Sequence, residues 1–279
     1  MIVVWPGLES SEAPASPTPG LPKTPAPATH PQRNFRVGKE AKMIDTGIYN
    51  RDQTEYSKII EEWYARFPQG VTLPAEYAHF VQDNLLRLYI RLARYKFVAR
   101  LIKKSDRLLE VGSGSGIGAM FLSQHCAHVT GIEIKTTEVE EARSINQRGN
   151  VEFQVTDLFS LAAKQEYDVA IALDVIEHMP IEEGHKLVAA MTRQLKPTGM
   201  IVIGTPSLYS FPYQSPESQA SHVKCYDQQE LVQLIDHYCG RTLPFSMNDE
   251  LVHTGHPKMA WYYFVLGFMP HVKSQRNGH

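Results

Sequence analysis

Short apolar segments alternate with helical patterns along the middle of this 279-residue chain. Five of these segments are predicted to be β-strands: residues 107–112, 128–134, 151–157, 168–174 and 200–205. Helical patterns lie between them at residues 117–126, 136–148 and 181–195. Because parallel strands are joined by crossover helices, this order predicts an α/β fold with a mostly parallel sheet and helices on both faces. Two later apolar segments, residues 241–247 and 260–268, predict a seven-stranded sheet whose last strand is antiparallel.

The N-terminal part of the chain has a different composition. Residues 13–31 are rich in Pro, Ala, Thr and Ser and contain few large apolar side chains. Such a segment buries little apolar surface, so residues 1–42 are predicted to form a disordered tail. Met43 is then a candidate start of the folded domain, which is predicted to cover residues 43–279.

Three other segments add to the sheet pattern. Apolar residues at three- and four-residue steps predict one long helix over residues 74–104, within a helical cap at about residues 50–104. Residues 206–226 form a long connection rich in aromatic residues, Pro and Ser, and long loops in compact domains are usually functional, so we predict a lid here. The apolar segment 259–269 is interpreted as a core strand or a dimer strand.

A glycine-rich turn follows the first predicted strand. Gly112, Gly114 and Gly116 alternate with serines, and Glu110 precedes them by two residues. Glycines at a strand-to-helix turn let a ligand approach the backbone closely. A dinucleotide fingerprint would need a glycine at position 117, which is Ile117. The turn therefore predicts a nucleotide-like ligand but does not match the dinucleotide pattern.

Acidic residues end the next two predicted strands. Glu133 lies 21 residues after Gly112, and Asp157 ends the third strand. An ionised carboxylate only accepts hydrogen bonds, so Glu133 suits a ribose diol and Asp157 suits an adenine amino group. The carboxyl ends of parallel strands meet at one edge of the sheet, which places both acids beside the glycine turn.

As a set, these motifs resemble class I S-adenosylmethionine-dependent methyltransferases. The resemblance covers about residues 90–240 and includes the glycine turn, the two acids, the segment LDVIEHMP (173–180) and the segment LKPTGMIVIGTPS (195–207). It implies a Rossmann-like fold, S-adenosyl-L-methionine as cofactor, and methyl transfer to a hydroxyl of a small molecule or glycan.

The resemblance also implies roles for individual cofactor-binding residues. It assigns the methionine part of the cofactor to Glu110, Gly112, Ser113, Gly114 and Gly116. It assigns the ribose and adenine to Glu133, Ile134, Asp157 and Leu158, and it places Asp174 near the cofactor end of the site. The pair Arg94-Tyr95 on the preceding helix matches a related pattern, in which Arg94 pairs with the cofactor carboxylate. A surface arginine is the alternative interpretation.

The segment after the fourth strand carries the candidate catalytic groups. Asp174, Glu177 and His178 are spaced so that they share one side of a helical turn. His178 is the candidate general base, because the pKa of histidine lies near neutrality. A structural turn is a second interpretation. Metal binding is a third, since similar positions hold a divalent cation such as Mg²⁺ in ubiquinone-biosynthesis O-methyltransferases and RNA-end methyltransferases, although Glu is usual where this chain has Asp174.

The long connection contributes further candidates. His222 lies just before the next helix, and the resemblance places a histidine there close to the acceptor, so it is the second catalytic candidate; a solvent-exposed loop histidine is the alternative. Tyr209, Phe211 and Tyr213 are interpreted either as an aromatic wall over the acceptor or as anchors of the loop.

Charge and cysteine content narrow the function classes. The formal net charge is −2, so no overall basic field favours nucleic acid, and no N/D-P-P-Y/F segment follows the fourth strand. Three cysteines without a C-x-x-C pair argue against a disulfide framework and fit a reducing, cytoplasmic compartment. The longest apolar run has 11 residues (259–269), well below a membrane span.

Two competing functions stay open at this point. One is an NAD(P)-dependent Rossmann oxidoreductase, against which Ile117 counts. The other is a non-catalytic partner protein that resembles a methyltransferase. Binding of S-adenosylhomocysteine separates the oxidoreductase from the other two.

Overall fold

The computed structural model describes residues 54–271, so the predicted tail and the candidate start at Met43 lie outside the described residues. The chain divides into an N-terminal unit that ends at Glu62 and a compact unit that begins at Trp63. The first helix, α1 (Thr54–Arg66), contains the described part of the N-terminal unit. All other elements belong to the compact unit.

The compact unit is built on one eight-stranded sheet. Its strands are β1 (Arg107–Val111), β2 (His128–Glu133), β3 (Val151–Val155), β4 (Tyr167–Leu173), β5 (Leu195–Pro206), β6 (Cys239–Asn248), β7 (Leu251–His253) and β8 (Tyr262–Pro270). The spatial order is β3-β2-β1-β4-β5-β8-β6-β7. The first five strands are parallel, and β8 lies antiparallel between β5 and β6. The predicted α/β sheet is confirmed, with β7 as an additional short antiparallel strand.

Seven more helices accompany the sheet in the described part of the compact unit. They are α2 (Ala75–Asp83), α3 (Leu85–Ala99), α4 (Ile117–Leu122), α5 (Thr136–Ile145), α6 (Ile181–Gln194), α7 (Pro216–Ser221) and α8 (Gln228–Asp236). The predicted single helix over residues 74–104 is wrong. Asn84 has φ −155° and breaks the helix, and its side chain accepts a hydrogen bond from the backbone N–H of Arg87 at 3.1 Å. This side-chain cap starts α3 as a separate helix.

Two apolar clusters form the core. One contains Leu187 and Met191 of α6 together with residues of α8, and the other contains Val98 of α3 with residues of α4 and α5. The segment 259–269, interpreted as a core or dimer strand, contributes buried core residues such as Phe264 on β8. Within residues 54–271, no helix is both long and apolar enough to cross a membrane.

Candidate functional site

The carboxyl ends of β1 to β4 open into one cavity of about 980 Å³. Parallel strands end at the same edge, so the segments that follow them meet there. The predicted cofactor residues that line this cavity are Gly112, Ser113, Gly114, Glu133, Ile134, Asp157, Leu158 and Asp174. Gly116 and Glu110 do not line it.

The glycine turn forms one wall of this larger cavity. Gly112, Gly114 and Gly116 have positive φ angles of 73°, 50° and 84°. A Cβ atom on Gly112 would lie 2.6 Å from Cγ2 of Val175, so this position has no room for a side chain. The turn therefore presents backbone to the cavity, as a cradle for a ligand does.

Glu133 is held rigidly at the end of β2. Its Oε1 accepts hydrogen bonds from the backbone N–H groups of Ile134 at 2.8 Å and Lys135 at 3.1 Å. Its Oε2 accepts from Gly114 N–H at 3.3 Å. The carboxylate thus ties the end of β2 to the glycine turn and keeps lone pairs for a ligand diol. Asp157 follows β3, where its Oδ1 accepts from Phe159 N–H at 3.0 Å.

Glu110 lies beneath the turn and is fully buried. The Tyr95 hydroxyl donates a hydrogen bond to Glu110 Oε1 at 2.8 Å, and Oε2 has no partner among the residues that the structure describes. Burial raises the pKa of Glu110 to about 8, and the bond from Tyr95 only partly offsets this. Tyr95 lines the larger cavity, so the hydrogen-bonded pair of Tyr95 and Glu110 stabilises the wall of that cavity.

We expect Glu110→Gln to stabilise the fold increasingly as pH rises. The pKa of Glu110 is raised from its ordinary 4.5 to about 8, so the folded state keeps a proton that the unfolded state loses. The wild type therefore loses stability between these pH values, whereas glutamine does not titrate. Thermal melts at pH 5 and pH 8 should show a larger advantage of the variant at pH 8. An equal difference at both pH values would contradict the buried, protonated state of Glu110.

Arg94 lies on α3 and does not line the larger cavity. Its guanidinium pairs with the Asp174 carboxylate and stacks on the ring of Tyr262, 4.0 Å from the ring centroid. It lines a second, smaller cavity of about 600 Å³. Arg91, one turn earlier, lines both cavities and pairs with Glu76 Oε1 at 2.5 Å. The assignment of Arg94 to the cofactor carboxylate stays a prediction, and Arg91 is the arginine beside the glycine-turn cavity.

Glu177, His178 and His222 come together on the smaller cavity. One potential ligand atom from each residue lies within 4.8 Å of the others. The Thr205 hydroxyl donates to Glu177 Oε2 at 2.9 Å. Glu177 Oε1 and His222 Nδ1 are buried without a partner within residues 54–271. Asp174 is not a member of this group, because Arg94 engages its carboxylate.

The electrostatics of this cluster follow from its burial. Burial and the nearby Asp174 carboxylate raise the pKa of Glu177 to about 8. Burial and the neighbouring His178 ring lower the pKa of His222. His178 Nδ1 lies 3.0 Å from the backbone carbonyl of Ser221. A carbonyl oxygen only accepts, so Nδ1 donates, and Nε2 of neutral His178 carries the lone pair.

Residues 206–226, the predicted lid, contain a 3-10 turn (Leu208–Tyr213) and α7. The carbonyl of Glu177 accepts hydrogen bonds from Val223 N–H at 2.7 Å and Lys224 N–H at 3.0 Å, which fixes His222 beside the cluster. The three aromatic candidates do not line the smaller cavity: Tyr209, Phe211 and Tyr213. Trp261 and Tyr262 line it instead, and Tyr213 packs against Trp261 with ring centroids 5.9 Å apart.

The two cavities share a wall. Arg91, Asp174, His178 and Ser221 line both of them. Sequence patterns missed Arg91, Trp261 and Tyr262, because Arg91 lies on α3, Trp261 directly precedes β8 and Tyr262 begins it, and apolar neighbours dominate the pattern there. The hydroxyl of Tyr262, at the start of an otherwise apolar strand, was the available signal.

Comparisons with known proteins agree with this geometry. A family profile described as "Methyltransferase domain" matches residues 109–203. A ubiquinone biosynthesis O-methyltransferase of Saccharophagus degradans is 35% identical over 113 residues, 38% of this chain and 47% of that protein. One of Rickettsia typhi is 25% identical over 162 residues, 57% of this chain and 62% of that protein. The chain thus matches about half to three fifths of the length of these relatives.

A solved structure supports the fold. A methyltransferase of Thermotoga maritima, described as a possible histamine N-methyltransferase, aligns with a TM-score of 0.55 at 15% identity. The alignment covers 78% of this chain and all of that one. The chain therefore contains a methyltransferase domain over residues 109–203 and has the fold of class I S-adenosylmethionine-dependent methyltransferases.

Proposed function

We propose that the chain transfers the S-methyl group of S-adenosylmethionine to a hydroxyl of a small molecule or glycan. The shared wall of the two cavities carries this proposal. His178 lies on that wall, next to Glu177 and His222. Two ligands, one in each cavity, would therefore meet at the cluster of these three residues. The sequence predicts that nucleic acid is not the acceptor, and this stays a prediction. A cytoplasmic location, a homodimer and a catalytic domain over residues 43–279 also stay predictions of the sequence.

The residues of the larger cavity fit this cofactor. Glu133 is an acceptor-only group suited to the ribose diol, and Asp157 with Leu158 and Ile134 suits the adenine. The backbone of the glycine turn suits the methionine part. Arg91 lines this cavity and Arg94 does not, so we assign the cofactor carboxylate to Arg91 in preference to Arg94.

When bound, the cofactor supplies a methyl group that its sulfonium charge activates toward a nucleophile. The protein then needs to align the acceptor, exclude water and accept the hydroxyl proton. His178 is placed for the last task, since its Nδ1 is fixed by the Ser221 carbonyl and its Nε2 is a proton acceptor. The hydrogen bonds from the lid to the Glu177 carbonyl fix the segment that carries His222 beside His178.

A divalent cation at the cluster is a second candidate mechanism. The three ligand atoms within 4.8 Å and the unpaired buried atoms of Glu177 and His222 favour it. The ligand set would then be Glu177, His178 and His222, without Asp174. One carboxylate and two imidazoles suit Zn²⁺, Mn²⁺ or Fe²⁺ better than Mg²⁺, which prefers oxygen ligands.

The proposed function is tested by incubating the full chain with methyl-labelled S-adenosylmethionine and fractionated small-molecule extract. We expect label in an O-methyl ether, identified by mass spectrometry of the purified labelled product. Label only in N-methyl products would contradict hydroxyl methylation. No labelled product, in a sample that binds S-adenosylhomocysteine, would favour the non-catalytic partner protein.

A further inference from the structure

Several residues that line the smaller cavity each carry a buried polar atom without a partner. Within the described range, eight buried side-chain nitrogen or oxygen atoms lack a hydrogen-bond partner. Five of them belong to residues that line this cavity: Arg94 Nε, Glu177 Oε1, Gln214 Oε1, His222 Nδ1 and the Tyr262 hydroxyl. A buried polar group without a partner costs about 1–3 kcal/mol, so their grouping at one cavity indicates a ligand that pairs with them.

The orientation of Gln214 is fixed by its neighbours. The Ser210 hydroxyl donates to the Ser207 carbonyl at 2.7 Å, so its oxygen is left to accept. The Gln214 amide nitrogen lies 2.9 Å from that oxygen and is therefore the donor. The amide oxygen of Gln214 is then the atom without a partner, and it is a buried acceptor in the wall of the cavity.

Tyr262 and Arg94 contribute buried donors to the wall of the same cavity. Tyr262 is only 2% exposed, and burial with the nearby Asp174 carboxylate raises its pKa well above the ordinary value, so the hydroxyl keeps its proton. Gly204 on β5 leaves room for it, because a Cβ there would lie 2.6 Å from the Tyr262 oxygen. Arg94 uses Nη1 for Asp174, which leaves its Nε–H unpaired.

We propose that the acceptor is a polyhydroxylated molecule of the sugar or cyclic polyol class, and that Tyr262, Gln214 and Arg94 select it. A hydroxyl both donates and accepts, so a ligand with several hydroxyls pairs with donors at Tyr262 and Arg94 and with the acceptor at Gln214. An acceptor with one hydroxyl leaves these groups unpaired and is rejected. The inference deepens the proposed function and rests on it for the place of the acceptor.

Binding is tested with ring-matched probes in the presence of saturating S-adenosylhomocysteine. The probes are cyclohexanol, with one hydroxyl, and a set of myo-inositol and methyl pyranosides. We expect at least one polyhydroxylated probe to bind about tenfold or more tightly than cyclohexanol, measured by calorimetry. If every polyhydroxylated probe binds no better than cyclohexanol, the inference is overturned.

A matched pair of variants assigns the selection to Tyr262. Tyr262→Phe keeps the ring beneath Arg94 and removes only the hydroxyl, so we expect about tenfold weaker binding of the preferred probe and unchanged binding of cyclohexanol. Tyr226→Phe is the control, because the Tyr226 hydroxyl is also buried and unpaired in the described region but lines neither cavity. Equal effects of the two variants would overturn the role of Tyr262. Probe binding in this assay, together with no labelled product in the separate incubation with methyl-labelled S-adenosylmethionine, would instead contradict the proposed function alone.

Discussion

His178→Ala is expected to lower the turnover number by about 10²–10⁴-fold while the affinity for S-adenosylhomocysteine changes less than about twofold. His178 lies on the wall between the cavities, and the Ser221 carbonyl fixes the tautomer that leaves Nε2 as proton acceptor. The loss should shrink as pH approaches the pKa of the acceptor hydroxyl, because an ionised hydroxyl needs no base. Steady-state kinetics over a pH series measures this.

The control is His185→Ala on α6, since His185 contacts the Tyr238 hydroxyl and lines neither cavity. Full activity of a folded His178→Ala variant would remove His178 from the mechanism. A chelator separates the two mechanisms that use the cluster. Loss of wild-type activity with a chelator and its return with Zn²⁺ or Mn²⁺ would support the cation mechanism, whereas insensitivity supports a base.

Glu133→Ala should weaken S-adenosylhomocysteine binding by at least about tenfold, and by more if both ribose hydrogen bonds are lost. Hydrogen bonds to a charged group contribute about 1.5–3 kcal/mol each. The same carboxylate also accepts from Gly114 N–H, so its removal loosens the turn that cradles the cofactor. Isothermal titration calorimetry on the folded variant measures the change.

Glu152→Ala is the matched control for this effect. Glu152 is an exposed carboxylate on β3, the strand next to β2, and it lines neither cavity. The Glu152→Ala substitution changes the net charge by the same amount as Glu133→Ala but removes no residue of the cofactor site. Equal affinities of the Glu133→Ala and Glu152→Ala variants would contradict the assignment of Glu133 to the ribose.

The parallel part of the sheet was predictable because local pattern determines it. β1, β2 and β4 are short runs around apolar residues, β3 alternates apolar and polar residues, and β5 contains the apolar run 200–203. The helices between these strands bury one apolar stripe each. The glycine turn and Glu133 follow from the same pattern, since a residue at the end of a parallel strand reaches the common edge of the sheet. Chain position and residue type are therefore sufficient to predict the glycine turn and Glu133 as parts of the site.

The acceptor side was less predictable because contacts between distant segments build it. Periodicity continues across Asn84, so the break between α2 and α3 depends on a side-chain cap that apolar spacing does not reveal. The choice between Arg91 and Arg94 as the partner of the cofactor carboxylate depends on which of them lines the larger cavity once α3 has packed on the sheet. His222 and Tyr262 reach the cluster from the lid and from β8, and only the folded sheet brings them to residues near position 177.

The most direct test of the central claim is a calorimetric comparison of two ligands on the full chain. The glycine turn, Glu133 and Asp157 predict binding of S-adenosylhomocysteine to one site, with no measurable heat from NAD⁺ or NADP⁺ at the same concentration. Binding of a dinucleotide without binding of S-adenosylhomocysteine would contradict the account and support an oxidoreductase.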